Sequence, residues 1–244
     1  MKSLLVPFAA LLCAASPAEP VAPLPRVAII DSGVARTAEL APLVSAEYDM
    51  ASNRSAFQPR YDHGTMVATI LARAANRQVD IVSFRIDDPA GCPAAASPPC
   101  QPDAAPIVAA IRRATALKVD AINISLALDR DPAITAAIRD AGAAGIPVIL
   151  AAGNQGLDHP SNLGPARAAY PSAVLVGAID GEGKVWRGTN RPDAAPVGYN
   201  YAWQRGVHVA TMTADGRAVT VTGTSFATPF ETAQLLARRA TAAN

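Results

Sequence analysis

The sequence predicts an α/β fold in which helices cover both faces of a doubly wound, mostly parallel sheet. Three observations predict this fold. Short apolar runs rich in β-branched residues recur along the chain, helical patterns lie between them, and half of the 244 residues are hydrophobic, enough to bury one full-sized core. Because no internal repeat or long linker divides the chain, we expect a single domain.

Five runs have the composition of strands that are buried on both faces. They are residues 26–30, 80–86, 120–126, 146–152 and 173–179. The stretch 181–216 is rich in Gly, Pro, Asn and Asp and has no strong period. It therefore predicts loops with short strands, one of them at 207–211.

Helical spacing of apolar residues separates these runs. One helix is expected over 106–117, with Ile107, Ile111 and Leu117 on one stripe. Another begins at Asp131, a favourable N-cap residue that is followed by a proline. Two more helices are expected, one directly after His63 and one directly after Ser225.

The N-terminal segment resembles an export signal rather than a membrane anchor. A lysine precedes an apolar stretch, and small residues suited to cleavage follow near Ala15 or Ala18. The apolar stretch is shorter than the roughly 20 residues that span a hydrocarbon core, and Pro7 interrupts it. We therefore expect residues 1–18 to be a signal peptide and the protein to be exported, either to a periplasm or out of the cell.

Export leaves two cysteines in the mature chain, Cys92 and Cys100, in a proline-rich loop. An even pair in an oxidising compartment is consistent with a disulfide, and two free thiols are the alternative. The net charge of +1, without a basic run, disfavours nucleic acid and anionic membranes as partners. Known metal-binding motifs are absent from the sequence, and we interpret Asp87 and Asp88 as a solvated turn.

Several polar residues are expected at one edge of the sheet. Asp31 and Asn154 follow predicted strands, Ser125 lies near the end of another, and His63 and Ser225 stand where predicted helices begin. In open parallel sheets the carboxyl ends of strands and the N-termini of helices gather on the same rim, where ligands bind. An Asp, a His and a Ser on that rim could form a nucleophilic triad, since imidazole activates the hydroxyl and a carboxylate orients the imidazole. Asn154 could donate an N–H to the developing oxyanion.

Taken singly, each of these residues also has a structural explanation. Asp31 and Asn154 could be turn residues, His63 a helix cap and Ser225 an N-cap. These structural explanations account less well for the four residues together. Every residue type that a nucleophilic triad with an oxyanion donor needs is present.

Four segments together resemble the subtilisin-like serine proteases, the subtilases. They are "VAIIDSGV" around Asp31, "HGTMVA" from His63, "AAGN" ending at Asn154 and "GTSFATP" around Ser225, and they occur in the order of that family. The resemblance extends over residues 26–240, and we take 26–244 as the catalytic domain. It implies that Asp31 orients His63, that His63 is the general base, that Ser225 is the nucleophile and that Asn154 stabilises the oxyanion.

The resemblance also implies a polypeptide substrate and a monomeric endopeptidase. The substrate would lie as an extended strand against two segments that line the pocket for the residue before the cleaved bond. Those segments are Ser125, Leu126 and Ala127, and Ala151, Ala152 and Gly153.

The sequence departs from the family in ways that leave a second hypothesis open. Ala127 and Thr69 replace the usual glycines, and only a few residues separate the export signal from the first strand, so we expect no pro-segment. The alternative is therefore a degenerate subtilase that binds or scaffolds without proteolysis. The loop that helps to hold a calcium ion in many members of the family is also missing. The resemblance therefore does not imply a calcium site in this protein, and no cofactor is expected.

Overall fold

The computed structural model describes residues 23–94, 99–101, 103–128, 130–194 and 197–242. The expected signal peptide, residues 1–18, lies outside them. The strands in chain order are β1 (Arg26–Asp31), β2 (Val44–Asp49), β3 (Asp80–Arg85), β4 (Ala121–Ile124), β5 (Val148–Ala151), β6 (Ala173–Ile179), β7 (Asn200–Arg205), β8 (Val209–Met212) and β9 (Ala218–Val221). The helices are α1 (His63–Ala74), α2 (Ala105–Ala116), α3 (Pro132–Ala143), α4 (Leu163–Ala168) and α5 (Thr224–Ala242).

One parallel sheet organises the molecule. Its strands run in the order β2-β3-β1-β4-β5-β6-β7, and a separate antiparallel pair joins β8 to β9. The chain builds outward from β1 in both directions, so the strand order reverses beside β1. In doubly wound sheets that reversal opens a crevice at the carboxyl ends of the strands.

Both faces of the sheet are buried, as the apolar runs predicted. Along β1, Ala28 and Ile30 belong to a core cluster with residues of α2, α3 and α4. Val27 and Ile29 point to the opposite face and join a cluster with residues of α1 and α5. The alternation of strand side chains between two helical layers confirms the predicted doubly wound α/β fold in a single domain.

The predicted helices begin close to the expected residues. Asp131 caps α3, and its side chain accepts hydrogen bonds from the N–H groups of Ala133 and Ile134. Helix α1 begins at His63 itself. Helix α5 begins at Thr224, so Ser225 lies inside its first turn, and the N-cap interpretation of Ser225 is wrong.

The edge strands β2 and β7 were not located from the sequence. Both carry polar side chains and are only partly buried, so they lack the continuous apolar run that identified the central strands. The segment 207–211, expected as a short strand, overlaps β8.

Asp87 does not lie in a solvated turn, and that interpretation of the sequence is wrong. Its side chain is fully buried. It accepts hydrogen bonds from Arg54 Nη1 at 2.9 Å and from Arg85 Nε at 3.0 Å. The Arg85 side chain is also buried and donates through Nη1 to the carbonyl of Gln58. Asp87 therefore ties the end of β3 to the 50–60 loop that leads to His63.

The expected disulfide between Cys92 and Cys100 is confirmed by a covalent bond that joins them across a Cα–Cα distance of 5.3 Å. The intervening residues 95–98 are outside the described part of the chain. Among the described residues, helices long and apolar enough to cross a membrane are absent.

Candidate active site

The first feature of the carboxyl edge is an Asp–His pair. Strand β1 ends at Asp31, and His63 opens the helix that packs above this strand end. His63 Nδ1 lies 2.8 Å from Asp31 Oδ1 and 2.9 Å from Asp31 Oδ2. A carboxylate only accepts hydrogen bonds, so Nδ1 carries the proton in this pair and the Nε2 of neutral His63 keeps its lone pair.

Gly64 allows α1 to approach β1 this closely. A Cβ at this position would lie 2.3 Å from the carbonyl oxygen of Gly33, which no side chain could tolerate. The Gly64 N–H donates to Ser32 Oγ at 3.0 Å, and that hydroxyl donates in turn to the carbonyl of Tyr61. The Ser32 N–H donates to Asp31 Oδ1 at 2.7 Å. These contacts fix the carboxylate and the imidazole relative to each other.

The environment of His63 raises its pKa. Burial of the imidazole favours the neutral form, but the charge of Asp31 and the hydrogen bond to it favour the protonated form by more. The pKa of His63 therefore lies above the ordinary value of 6.5. Asp31 is fully buried, and the His63 side chain is 15% exposed.

Ser225 stands on the first turn of α5, and this turn packs against His63 through the next residue. Its neighbour Phe226 contacts the His63 ring, with ring centroids 5.5 Å apart. The Ser225 side chain is partly exposed and has no hydrogen-bond partner within the described part of the chain. Its hydroxyl can therefore rotate about χ1, and its backbone N–H belongs to the helix turn that has no intrahelical acceptors.

Asn154 is bound to the same helix end. Its Oδ1 accepts from both the N–H and the hydroxyl of Thr224, each at 2.9 Å. Thr224 Oγ1 also accepts from the Gly153 N–H at 3.1 Å. Because these donors identify Oδ1, the Asn154 Nδ2 group faces away from them. The Asn154 side chain thus caps α5 and leaves two N–H donors at an exposed position.

The two expected pocket-lining segments lie side by side at the carboxyl ends of β4 and β5. Five of the six named residues are at least partly buried, and Ser125 is tied into the interior by Asn123 Nδ2 at 3.0 Å. A cavity of about 640 Å³ opens beyond them, and Ala127 is the one residue of the six that lines it. The other five residues, Ser125, Leu126, Ala151, Ala152 and Gly153, lie outside that lining, and their role in substrate binding stays a prediction.

Two buried asparagines at this site were missed by the sequence analysis. Asn162 bonds to backbone atoms on both segments just described. Asn190 Oδ1 accepts from the N–H groups of Gln155 and Leu157, and its own N–H donates to the Gly153 carbonyl. Gly153 has φ of +107°, and a Cβ there would lie 2.4 Å from Asn190 Nδ2. Neither asparagine stands in a local pattern that would reveal these distant partners.

Among the residues that the structure describes, clusters of three or more side chains suited to hold a metal ion are absent. The carboxyl edge instead brings together a carboxylate-bound imidazole, a serine hydroxyl and amide donors. Such an arrangement can activate a serine as a nucleophile and stabilise negative charge on an adjacent oxygen.

Solved structures resemble this fold across most of the chain. A cold-adapted subtilisin-like serine proteinase superposes with a TM-score of 0.71 at 22% identity, covering 87% of this chain and 74% of that one. The prenylagaramide maturation protease PagA gives a TM-score of 0.68 at 21% identity, covering 90% of this chain and 78% of that one. At such low identity, the similarity concerns the fold.

Sequence comparison identifies the family. The model of the subtilase family of peptidases matches residues 25–238, and the chain belongs to that family. Subtilisin DY of Bacillus licheniformis is 28% identical over 215 residues, which is 84% of this chain and 72% of that protein. A cuticle-degrading serine protease of Orbilia oligospora is 36% identical over 107 residues, which is 44% of this chain. The match spans about a quarter of that relative, 24% of its length.

Proposed function

We propose that the protein is an exported serine endopeptidase that hydrolyses peptide bonds through an acyl-enzyme. The single observation that carries the proposal is the Asp31–His63 pair, with Nδ1 bound to the buried carboxylate beside the helix turn that bears Ser225. Membership of the subtilase family supports it.

In the proposed mechanism, His63 Nε2 takes the proton of Ser225 Oγ as that oxygen attacks the scissile carbonyl carbon. His63 then gives the proton to the leaving amine, and water hydrolyses the acyl-enzyme by the same route in reverse. Asp31 stays ionised, holds the imidazole in the required tautomer and stabilises its positive charge. The oxyanion receives hydrogen bonds from Asn154 Nδ2 and the Ser225 N–H.

The pocket for the substrate residue before the cleaved bond lies between segments 125–127 and 151–153. The side chain of that substrate residue extends into the cavity that Ala127 lines. The partner is a polypeptide, and no metal takes part in the steps assigned above. The Cys92–Cys100 disulfide and the apolar N-terminal segment support export. The proteolytic proposal is preferred to the degenerate alternative because His63 Nδ1 is bound to the Asp31 carboxylate and Asn154 Oδ1 is bound to the start of α5.

The proposal is tested by incubating the purified protein with an unfolded polypeptide near pH 8 and identifying new amino termini by mass spectrometry. We expect internal cleavage by the wild type and none by His63→Ala. Intact substrate after incubation with folded wild-type protein would favour the binding or scaffold alternative.

A pH profile tests the role of His63. The general base must be neutral, and its pKa lies above 6.5, so kcat/KM should fall as the pH drops through that raised pKa. We expect a single acid limb with its midpoint above 6.5, in a series measured from pH 5 to 9. Asp31→Asn removes the charge that raises the pKa, so any residual activity should have its midpoint at lower pH. A wild-type midpoint at or below the ordinary value would contradict this assignment.

Replacement of Asn154 by alanine tests the oxyanion role. It removes Nδ2, and we expect kcat to fall by about 10²- to 10³-fold with little change in KM, the size of effect recorded for the subtilisin asparagine. The variant also loses the cap on Thr224, so its thermal unfolding must be compared with the wild type. Asn154→Asp keeps the acceptor for Thr224 and removes the donor, and it should show the same loss of kcat. Unchanged kcat in Asn154→Asp would exclude this residue as an oxyanion donor.

A further inference from the structure

Asn162 occupies an unusual position at the candidate substrate pocket. It precedes α4, has left-handed backbone angles (φ 53°, ψ 15°) and is only 7% exposed. Its side chain does not cap the helix that follows. The amide is therefore directed to other parts of the molecule.

Each polar atom of that amide bonds to a backbone group within the pocket segments or next to them. Asn162 Nδ2 donates to the carbonyls of Leu126 at 2.8 Å and Ala151 at 2.9 Å. Asn162 Oδ1 accepts from the Leu128 N–H at 2.8 Å. Two carbonyls require donors and one N–H requires an acceptor, so the orientation of the amide is fixed.

These bonds continue the sheet where its backbone pairing stops. Strands β4 and β5 are paired up to Ile124 and Leu150. Beyond that point the two backbone segments are no longer paired with each other, and the Asn162 side chain bridges them. The cavity of about 640 Å³ opens at this separation, and Leu128, Leu157, Leu163 and Asn162 itself form part of its lining.

We propose that Asn162 is a positioning residue that sets the distance between the two walls of the substrate pocket and thereby its selectivity for the side chain before the cleaved bond. This inference rests on the proposed function. Asn162 does not act on the reacting atoms, so its contribution depends on the substrate. A substrate with a large side chain uses both walls, whereas one with glycine at that position uses neither.

The test compares two peptides that differ only in leucine or glycine before the cleaved bond. Asn162→Asp keeps the shape of the side chain, and aspartate also tolerates the left-handed backbone angles of this position. The change replaces the NH₂ group, which supplies both donors, with an oxygen that only accepts hydrogen bonds. We expect the ratio of kcat/KM for the leucine peptide over the glycine peptide to fall about tenfold, since two hydrogen bonds to the walls are lost. The rate of labelling by a small fluorophosphonate should stay unchanged, because that reaction does not use the walls.

Asn76→Asp is the matched control. Asn76 also has a left-handed backbone, with φ of 49°, but it is exposed and lies between α1 and β3. It should leave the ratio unchanged. If Asn162→Asp does not fold, Asn162→Gly carries the test, because glycine accepts the left-handed backbone and also removes the bridge.

The outcomes separate the inference from the proposed function. Wild-type selectivity that persists in a folded Asn162 variant would overturn the inference while leaving the proposed function intact. Failure of the wild type to cleave either peptide and to react with the fluorophosphonate would overturn the proposed function and the inference together.

Discussion

Replacement of Ser225 by alanine should lower kcat/KM for a peptide substrate by roughly 10⁴- to 10⁶-fold. The hydroxyl is the proposed nucleophile, and the remaining oxyanion donors and binding contacts supply only a small residual rate. The fold should be unaffected, because the Ser225 side chain has no hydrogen-bond partner among the described residues. We expect the free energy of unfolding to change by less than about 0.5 kcal/mol.

Ser45→Ala is the matched control for this experiment. Ser45 is an exposed residue of β2, and its hydroxyl is 3.5 Å from the carbonyl of Ile81. The same change of side chain there should leave kcat/KM at the wild-type value. Full activity in Ser225→Ala would assign the nucleophile to another residue.

The largest effect on stability is expected at Asp87. Its carboxylate is the buried partner of Arg85, whose side chain is only 4% exposed. Asp87→Ala leaves that guanidinium buried without a counter-charge, and breaking such a pair costs about 3–5 kcal/mol. The 50–60 loop also loses an anchor, because Arg54 bridges Asp87 and Asp49. We expect the midpoint of urea unfolding, measured by tryptophan fluorescence, to decrease clearly.

Asp140→Ala provides the comparison for Asp87→Ala. Asp140 pairs with Arg139, but both side chains are more than half exposed, at 61% and 58%. Solvent screens such a pair, so its loss should cost less than about 1 kcal/mol. Equal stabilities of the two variants would show that the buried cluster does not anchor the loop.

The central part of the fold was predictable because its physical causes are local. Strands such as β6 are buried on both faces, so their residues form one apolar run. Residues at the ends of β1 and β5 and at the starts of α1 and α5 then fall on one edge by topology alone. That rule predicts that Asp31, His63, Asn154 and Ser225 lie on the same edge of the sheet.

The features that the sequence did not reveal depend on distant partners. Strand β2 contains Glu47, whose carboxylate accepts from the Val34 N–H, the Ser83 hydroxyl and the Phe57 N–H, so the strand looks polar although it belongs to the sheet. Asp87 looked solvated because its partner Arg54 is 33 residues away in sequence. Leu128 and Leu126, which bond to the Asn162 side chain, are 34 and 36 residues away in sequence. A local pattern carries no information about such contacts.

The most direct test of the proposed mechanism is the reaction of the purified protein with a fluorophosphonate near pH 8, because only the neutral form of His63 can activate the hydroxyl. The site of modification is located by peptide mass spectrometry, with His63→Ala as the control. The account predicts a phosphonylated Ser225 in the wild type and an unmodified Ser225 in the variant. An unreactive Ser225 in folded wild-type protein, or labelling that persists without His63, would contradict it.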